Sequence, residues 1–294
     1  MTWEWSDIRA FLAVADAGTT LGAAKALGMN QTTCARRIAA LEAALGVRLF
    51  DRSAAGYALS AEGRALLPAA RALGEAALAL ENEAAVWRRR GLGVLRVTTN
   101  DAVAELVLAP AVARFRADHP DVSIELDVTE RFVDIAAGEA DIAVRGAEQL
   151  AADASLIQRR LPDSRWAVYC SHAYAAANGK PDALTALAGH PIATLGGAVL
   201  AATRALDPEL RIVDVTNSTN SLRASLQAGY SVGALPCHVG DATPGLERCF
   251  LIDPPSPAWL IYAERLRGRP EARAFIDFLA AHFETMRPRL MGEG

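Results

Sequence analysis

Residues Ser60–Arg89 read as one long amphipathic helix, and the rest of the chain is organised around its two ends. Leu66, Ala70, Leu73, Ala77, Leu80, Ala84 and Trp87 recur at alternating steps of four and three, the spacing that keeps an apolar seam facing one direction. Thirty residues of helix span about 45 Å, more than a small preceding domain can cover. The simplest partner for the seam is therefore the same helix of a second copy, with Leu66, Leu73, Leu80 and Trp87 as its contacts. The competing expectation is a helix folded back on its own core, which the many alanines (Ala69, Ala76, Ala79) would also suit.

A chain of 294 residues with 52% hydrophobic residues has room for roughly two or three packed domains. The opening MTWEWSDIRAF lacks a basic, then apolar, then small-residue signal pattern, and no later stretch offers a long uncharged apolar run. Export and membrane spanning are thus not expected. The four cysteines, Cys34, Cys170, Cys237 and Cys249, contain no C-x-x-C pair, which fits a reducing cytoplasm without a structural disulfide or cysteine zinc site. The net charge of −4 conceals an asymmetry: residues 1–90 carry eleven Lys/Arg against nine Asp/Glu, and the remainder nineteen against twenty-five. A nucleic acid would meet the front of the chain.

In that front part, Trp5, Ile8, Phe11, Leu12 and Ala15 make a helical face that Gly18 ends. Thr19 or Thr20 caps a short second helix, Leu21–Leu27, which Gly28 stops; Asn30 caps a third, Gln31–Ala44. In the third helix Ile38, Leu41 and Leu45 are expected inward, while Gln31, Thr32, Thr33, Arg36 and Arg37 lie near its start or on its polar side. Two helices meeting at a tight turn, the second fronted by polar and basic residues, suit a DNA major groove. Gln31 matches an adenine edge, Arg36 or Arg37 a guanine or phosphate, and Thr32 or Thr33 a phosphate or thymine methyl. Gly46 leads into Val47–Phe50 and Gly56–Leu59, a strand pair forming a wing with Arg52 near its tip. Each feature alone also fits a solvated surface or a generic helical interaction module; their order favours DNA.

The run AAKALGMNQTTCARRIAALEAALGVRLFDRSAAGYALSAEGRALLPAA closely resembles the amino-terminal pattern of the LysR-type transcriptional regulators. Its glycines, the asparagine cap, the R-x-I-x-x-L-E segment and the L-F-x-R wing all fall in order. The resemblance implies that Gln31, Thr32, Thr33, Arg36 and Arg37 face DNA from the recognition helix and Arg52 from the wing. Ala35 stands where many members carry a serine, so a backbone hydroxyl contact is missing or supplied by Thr33. Cys34 beside it is expected to be packed.

After the composition break at Arg88, Arg89, Arg90, Gly91 and Gly93, expected to be a hinge, short apolar strands alternate with helices. The strands are Leu95–Thr98, Val122–Val128, Ile142–Val144, Trp166–Cys170, Ile192–Leu195, Ile212–Val215 and Val232–Leu235; the helices include Ala102–Arg116, Arg131–Ala137 and Ser218–Ala228. The alternation predicts parallel sheets covered by helices. Charged joints near Arg159–Arg165 and Arg265–Glu271 read as two crossings between lobes, with a final helix, Ala272–Met286, returning to the first lobe. Ligands of open α/β sheets gather where strands end and helices begin. Thr99, Asn100, Arg145, Thr194, Ser218, Thr219 and Asn220 occupy such positions and predict a cleft for a small polar or anionic effector, although each hydroxyl or amide also suits a plain helix cap. The resemblance adds that the family's effector domain looks like two-lobed periplasmic binding proteins.

The five histidines show no metal-ligand spacing, and there is no G-x-S-x-G, G-x-G-x-x-G or G-K-[ST] motif. Cys237 and His238, taken as neighbours on an extended segment, would point to opposite faces. No catalytic residue, metal or cofactor is expected; a redox pair of Cys170 and Cys237 is a minor alternative. The sequence thus predicts a multidomain α+β protein: a winged helix-turn-helix domain at 1–59, a dimerising linker helix at 60–90, and a two-lobed α/β effector domain at 91–294. The expected function is sequence-specific, effector-responsive transcriptional regulation in the cytoplasm. Its partners would be double-stranded operator DNA, a small-molecule effector, further copies of the chain as homodimer or homotetramer, and RNA polymerase, with no membrane. The other reading is a solute-binding or protein-interaction module without specific DNA binding.

Overall fold

The structure, a computed structural model, describes residues 3–53, 56–91, 93–146 and 153–293. Contacts divide the chain into two units, Met1–Ala84 and Ala85–Gly294.

The first unit opens with α1 (Trp5–Ala17), α2 (Thr20–Leu27) and α3 (Gln31–Leu45). Each ends at a glycine in the left-handed region, Gly18, Gly28 and Gly46, a conformation that costs a Cβ-bearing residue energy. Ile8, Phe11 and Val14 of α1 pack on Ala23 and Ala24 of α2, on Cys34, Ile38 and Leu41 of α3, and on Leu49 and Phe50. Trp5 and Leu45, expected inward, lie at helix ends and are exposed. The wing is an antiparallel pair, β1 (Phe50–Ser53) and β2 (Gly56–Leu59), with Arg52 opposite Tyr57. The Arg52 side chain and residues 54–55 lie outside the described part of the chain.

Next comes α4 (Ala61–Gly91). Ser60 caps its first turn, its Oγ accepting from Gly63 N at 2.8 Å. Gly63 is dictated by packing: a Cβ there would sit 2.1 Å from the Leu49 carbonyl oxygen. Ala70 is buried against the core of the first unit, whereas Leu66, Leu73, Leu80 and Trp87 are exposed, Leu73 by 44% and Leu80 by 73%. No helix among the described residues is long and apolar enough to cross a membrane.

In the second unit, β3 (Val94–Thr99) leads into one helical run made of α5 (Asp101–Val103), a π-helical turn (Ala104–Leu108) and α6 (Ala109–Asp118). Then follow β4 (Ser123–Val128), β5 (Ile142–Gly146), the long β6 (Leu156–Ser171), α7 (His172–Asn178), β7 (Ile192–Leu195), α8 (Ala198–Leu206), β8 (Ile212–Thr216), α9 (Thr219–Gln227), β9 (Gly233–Pro236) and α10 (Cys237–Gly240). A second long strand, β10 (Leu246–Ala263), precedes α11 (Pro270–Thr285) and α12 (Arg287–Leu290).

The main sheet has the order β4-β3-β5-β10-β6-β9. Only the β3–β4 and β3–β5 ladders of this sheet are parallel; β10 pairs antiparallel with β5 and with β6, and β6 antiparallel with β9. The expectation of purely parallel sheets is corrected accordingly. A second, parallel sheet holds β7 and β8, with Ile192 bridged to Val232. The first lobe's core gathers Leu95, Val97, Phe115, Ile142, Leu260, Phe275 and Leu279; the second lobe's gathers Ala167, Tyr169, Leu222, Leu226 and Leu235.

The strands β6 and β10 carry the chain between the lobes. The crossing near Arg159–Arg165 lies within β6 as expected, but Arg265–Glu271 is no crossing. The second passage is made inside β10, whose register with β6 shifts between Ile252 and Ala258, and Leu260 is already in the first lobe's core. The charges that suggest a joint at Arg265 are spent internally, on Asp141 at 3.6 Å and on the carbonyls of Ile135 and Ala140. Residues 131–137, expected as a helix, form bends and a turn. Their side-chain bonds serve the loop instead: Glu139 accepts from Arg131 and from the Asp134 amide, and Asp134 from the Ala137 amide.

Candidate DNA-reading surface and ligand cleft

The start of α3 is shaped by its cap. Asn30 Oδ1 accepts from Thr33 N and from Thr32 Oγ1, each at 2.8 Å. Gln31 is exposed, and one of its amide hydrogens is held by the buried Thr20 at 3.1 Å. That single bond fixes the carboxamide while leaving its oxygen and second hydrogen for an outside partner. Arg36 is exposed and has no ion-pair partner among the described residues. Arg37 differs from expectation. Its guanidinium turns to the start of α1, donating to Asp7 Oδ1 at 3.0 Å, to Glu4 at 3.4 Å and to Ser6 Oγ. The Asp7 hydrogen bond leads the effects that push its pKa above the ordinary arginine value, with Glu4 adding to them against some desolvation. A partner some thirty residues away left no local signal; the anchor for Gln31, in contrast, is Thr20, one of the two threonines expected as the cap of α2, where Thr19 takes that role.

In the second unit, Asn100 caps α5 through Val103 N at 2.9 Å, and Ser218 caps α9 through Ser221 N at 3.0 Å. Asp101, which the sequence reading did not single out, joins the two junctions. Its Oδ2 accepts from Ser218 Oγ and from Asn220 N at 3.1 Å. Glu105 adds a second tie, accepting from Asn220 Nδ2 at 2.8 Å and facing Arg223 at 3.4 Å. A carboxylate of the first lobe thus occupies the position at the start of α9 where the free amides and helix dipole favour an anion. Its signal was present, since it follows Thr99 and Asn100 at the same strand end.

A cleft of ≈ 400 Å³ opens beside this latch, bounded by Asp101, Thr129, Glu130, Arg131, Asn217 and Ser218. Burial, with Asp101 nearby, pushes the Glu130 carboxyl up against the opposing pull of Arg145. Three predicted contacts turn inward instead of lining the cleft. Thr99 donates to the Val144 carbonyl and Thr194 to that of Leu195. Arg145, only 7% exposed, donates to the carbonyls of Thr129 and Arg131 and to Thr98 Oγ1. It therefore holds the 129–131 wall in place, and burial draws its pKa below the usual arginine value. Thr219 is buried in the first turn of α9.

The other singled-out groups fall elsewhere. The Cys170 sulfur lies 3.5 Å from Cys249, a neighbour the sequence did not suggest. Cys237 and His238 stand on the short helix α10 and not on an extended segment. No group of three metal-binding side chains occurs among the described residues.

Residues 5–64 match the family described as "Bacterial regulatory helix-turn-helix protein, lysR family", and residues 88–284 match "LysR substrate binding domain". A CrgA regulator of Neisseria meningitidis serogroup C is 30% identical over 184 residues, 63% of this chain and 61% of that protein. A putative transcriptional regulator of Pseudomonas aeruginosa is 31% identical over 185 residues, 63% of this chain and 60% of that one. The chain thus spans about half to three fifths of the length of the curated relatives it matches. Among solved structures, CrgA from Neisseria meningitidis superposes with a TM-score of 0.56 at 25% identity, covering 95% of this chain and 98% of that one. CbnR in complex with its target DNA gives 0.54 at 22% identity, covering 95% and 99%, a likeness of fold.

Proposed function

The chain belongs to the LysR family of transcriptional regulators, a DNA-binding regulator with an effector-binding domain and not an enzyme, and from that premise we propose how it works. In the cytoplasm a dimer, paired through Leu66, Leu73, Leu80 and Trp87 of α4 and extendable to a tetramer, reads a twofold operator. Gln31, Thr32, Thr33 and Arg36 contact DNA from each α3, and Arg52 from each wing. The observation that carries the reading is the start of α3: a capped helix with exposed Gln31, Thr32 and Arg36, and a carboxamide steadied by Thr20. Base contacts need such pre-positioned side chains. Arg37 serves the head's own fold.

The effector is a small polar molecule entering the cleft beside Asp101. If it carries an anionic group, that group competes with the Asp101 carboxylate for Ser218 Oγ and Asn220 N, because both seek the same donors. Asn100 and Asn220 flank Asp101 at the two helix starts, Arg145 supports the 129–131 wall, and Thr99, Thr194 and Thr219 are buried. Ligand that binds the latched and unlatched lobes unequally shifts their populations, and the shift alters operator geometry or contact with RNA polymerase. The test is calorimetric titration with metabolites of neighbouring operons. Asp101→Asn should tighten binding of an anionic effector, and Ser218→Ala should weaken it. Equal affinity in wild type and both variants would contradict the cleft assignment. For DNA, Gln31→Ala should flatten discrimination among operator variants by about 1–3 kcal/mol; undiminished discrimination would remove Gln31 from the reading surface.

A further inference from the structure

A second polar cavity, of ≈ 200 Å³, lies where the C-terminal segment meets the second lobe, bounded by His238, Asp241, Ala242, Arg289 and Gly292. His238 is 7% exposed, and neither of its ring nitrogens has a protein partner. The ring borders the cavity while both of its nitrogens are shut off from water and unpartnered, and an imidazole left unsatisfied in this way calls for an occupant. Of the charged groups around it, Asp241 is already committed. It accepts from Tyr169 at 2.8 Å and from the Arg248 guanidinium, and Arg248 also binds the Gly292 carbonyl at 3.0 Å. Arg289 is exposed and has no ion-pair partner among the described residues. The neighbouring Cys237 thiol is pushed up by burial and stays neutral.

The site therefore offers one uncompensated cation and one neutral imidazole with a single donor. That combination matches a single negative charge spread over two oxygens. A guanidinium takes a carboxylate in a forked pair, and the ring N–H meets the same group once the imidazole turns towards the cavity. A phosphate dianion would face Asp241 with only one free cation to offset it. The space equals about six or seven waters, enough for a compact acid. We propose that this cavity is a binding site for a small monocarboxylate, held between the Arg289 guanidinium and the His238 ring N–H.

The location gives such binding a consequence. Leu290, next to Arg289, is packed in the first lobe's core, whereas His238 and Cys237 belong to the second. A carboxylate gripped by both would tie the two lobes at a place separate from the Asp101 latch.

The test uses the full chain with labelled histidine, titrated with acetate and then propionate while the imidazole resonances are followed. The His238 ring signals should move and saturate, and Arg289→Gln should weaken the response at least tenfold. His238→Leu should lose the corresponding heat in calorimetry while melting at the same or a higher temperature, since two unsatisfied nitrogens are removed. Ring signals that stay still throughout would mean a merely hydrated cavity and overturn the proposal, as would an Arg289→Gln protein with undiminished affinity. Following the His238 ring itself separates this site from the cleft beside Asp101.

Discussion

Replacing Arg89 by alanine tests how the end of α4 is fixed. The sequence suggests a hinge at residues 88–93, of which Leu92 and the Arg90 side chain lie outside the described part of the chain. Arg89 is only 9% exposed, its Nε stands 3.3 Å from Asp141 Oδ2, and Nη2 donates to the Gly138 carbonyl at 3.1 Å. Asp141 is 0% exposed. Removing one partner of a buried pair typically costs about 3–5 kcal/mol because a charge is left behind. Here the loss is softened, since Asp141 keeps the Arg96 amide at 3.0 Å and Arg265 at 3.6 Å. We expect about 2–3 kcal/mol, which for a unit of this size lowers its melting temperature by about 4–12 °C. Asp141→Ala should cost more, because it strands both arginines, and Arg89→Ala with Asp141→Asn should cost less than the sum of the single changes. Differential scanning calorimetry of the full chain reads the transition of the second unit. A loss below about 0.5 kcal/mol, the range of ordinary surface changes, would refute the view that Arg89 anchors this helix end. If the anchor transmits effector binding, Arg89→Ala should also retain operator affinity while losing its response to ligand.

Acid should destabilise the second unit through His238. Burial first, then Arg289, holds its pKa down to about 4 against the opposing pull of Asp241. The unfolded imidazole takes a proton near its ordinary value and the folded one does not, so stability falls as pH drops from about 6.5 towards 4, by about 3 kcal/mol. His238→Leu should flatten that fall in pH-dependent denaturation curves; an unchanged curve would contradict the assignment. The two arginines of α3 should separate. Arg37→Ala should lower the melting temperature of the first unit by leaving the buried Asp7 with only the Glu4 amide, whereas Arg36→Ala should leave melting unchanged and reduce the salt slope of operator binding by about one. Leu73→Asp or Leu80→Asp should shift light-scattering mass towards the monomer, since a carboxylate in an apolar seam is unfavourable; unchanged mass would point to a different interface.

What could be read from the sequence followed the range of the forces involved. The glycine stops of α1 to α3, the caps of α2 and α3, and the buried Ile38 and Leu41 were legible because they depend on neighbours within a turn or two. The two long strands were not. Pro162 interrupts β6, and Pro254, Pro255 and Pro257 interrupt β10, so only Trp166–Cys170 of the first is legible as a strand and none of the second, and the second crossing was sought beyond the prolines at Arg265. Strand ends were found at Asn100 and Ser218, but the side chain that joins them, Asp101, depends on a pairing across more than a hundred residues. For the same reason Arg145 looked like a ligand contact: its charge is visible in the sequence, while the carbonyls of Thr129 and Arg131 that consume it are not.

The central claim, that α3 confers sequence-specific DNA recognition on a paired regulator, is tested most directly by measuring affinity for the chain's own upstream DNA and for a scrambled duplex across salt concentrations. The account predicts binding to the upstream DNA at least about a thousandfold tighter than to the scrambled duplex, log affinity that falls linearly with log salt, and loss of the preference in Gln31→Ala. Equal, weak binding to both duplexes at every salt concentration would contradict it.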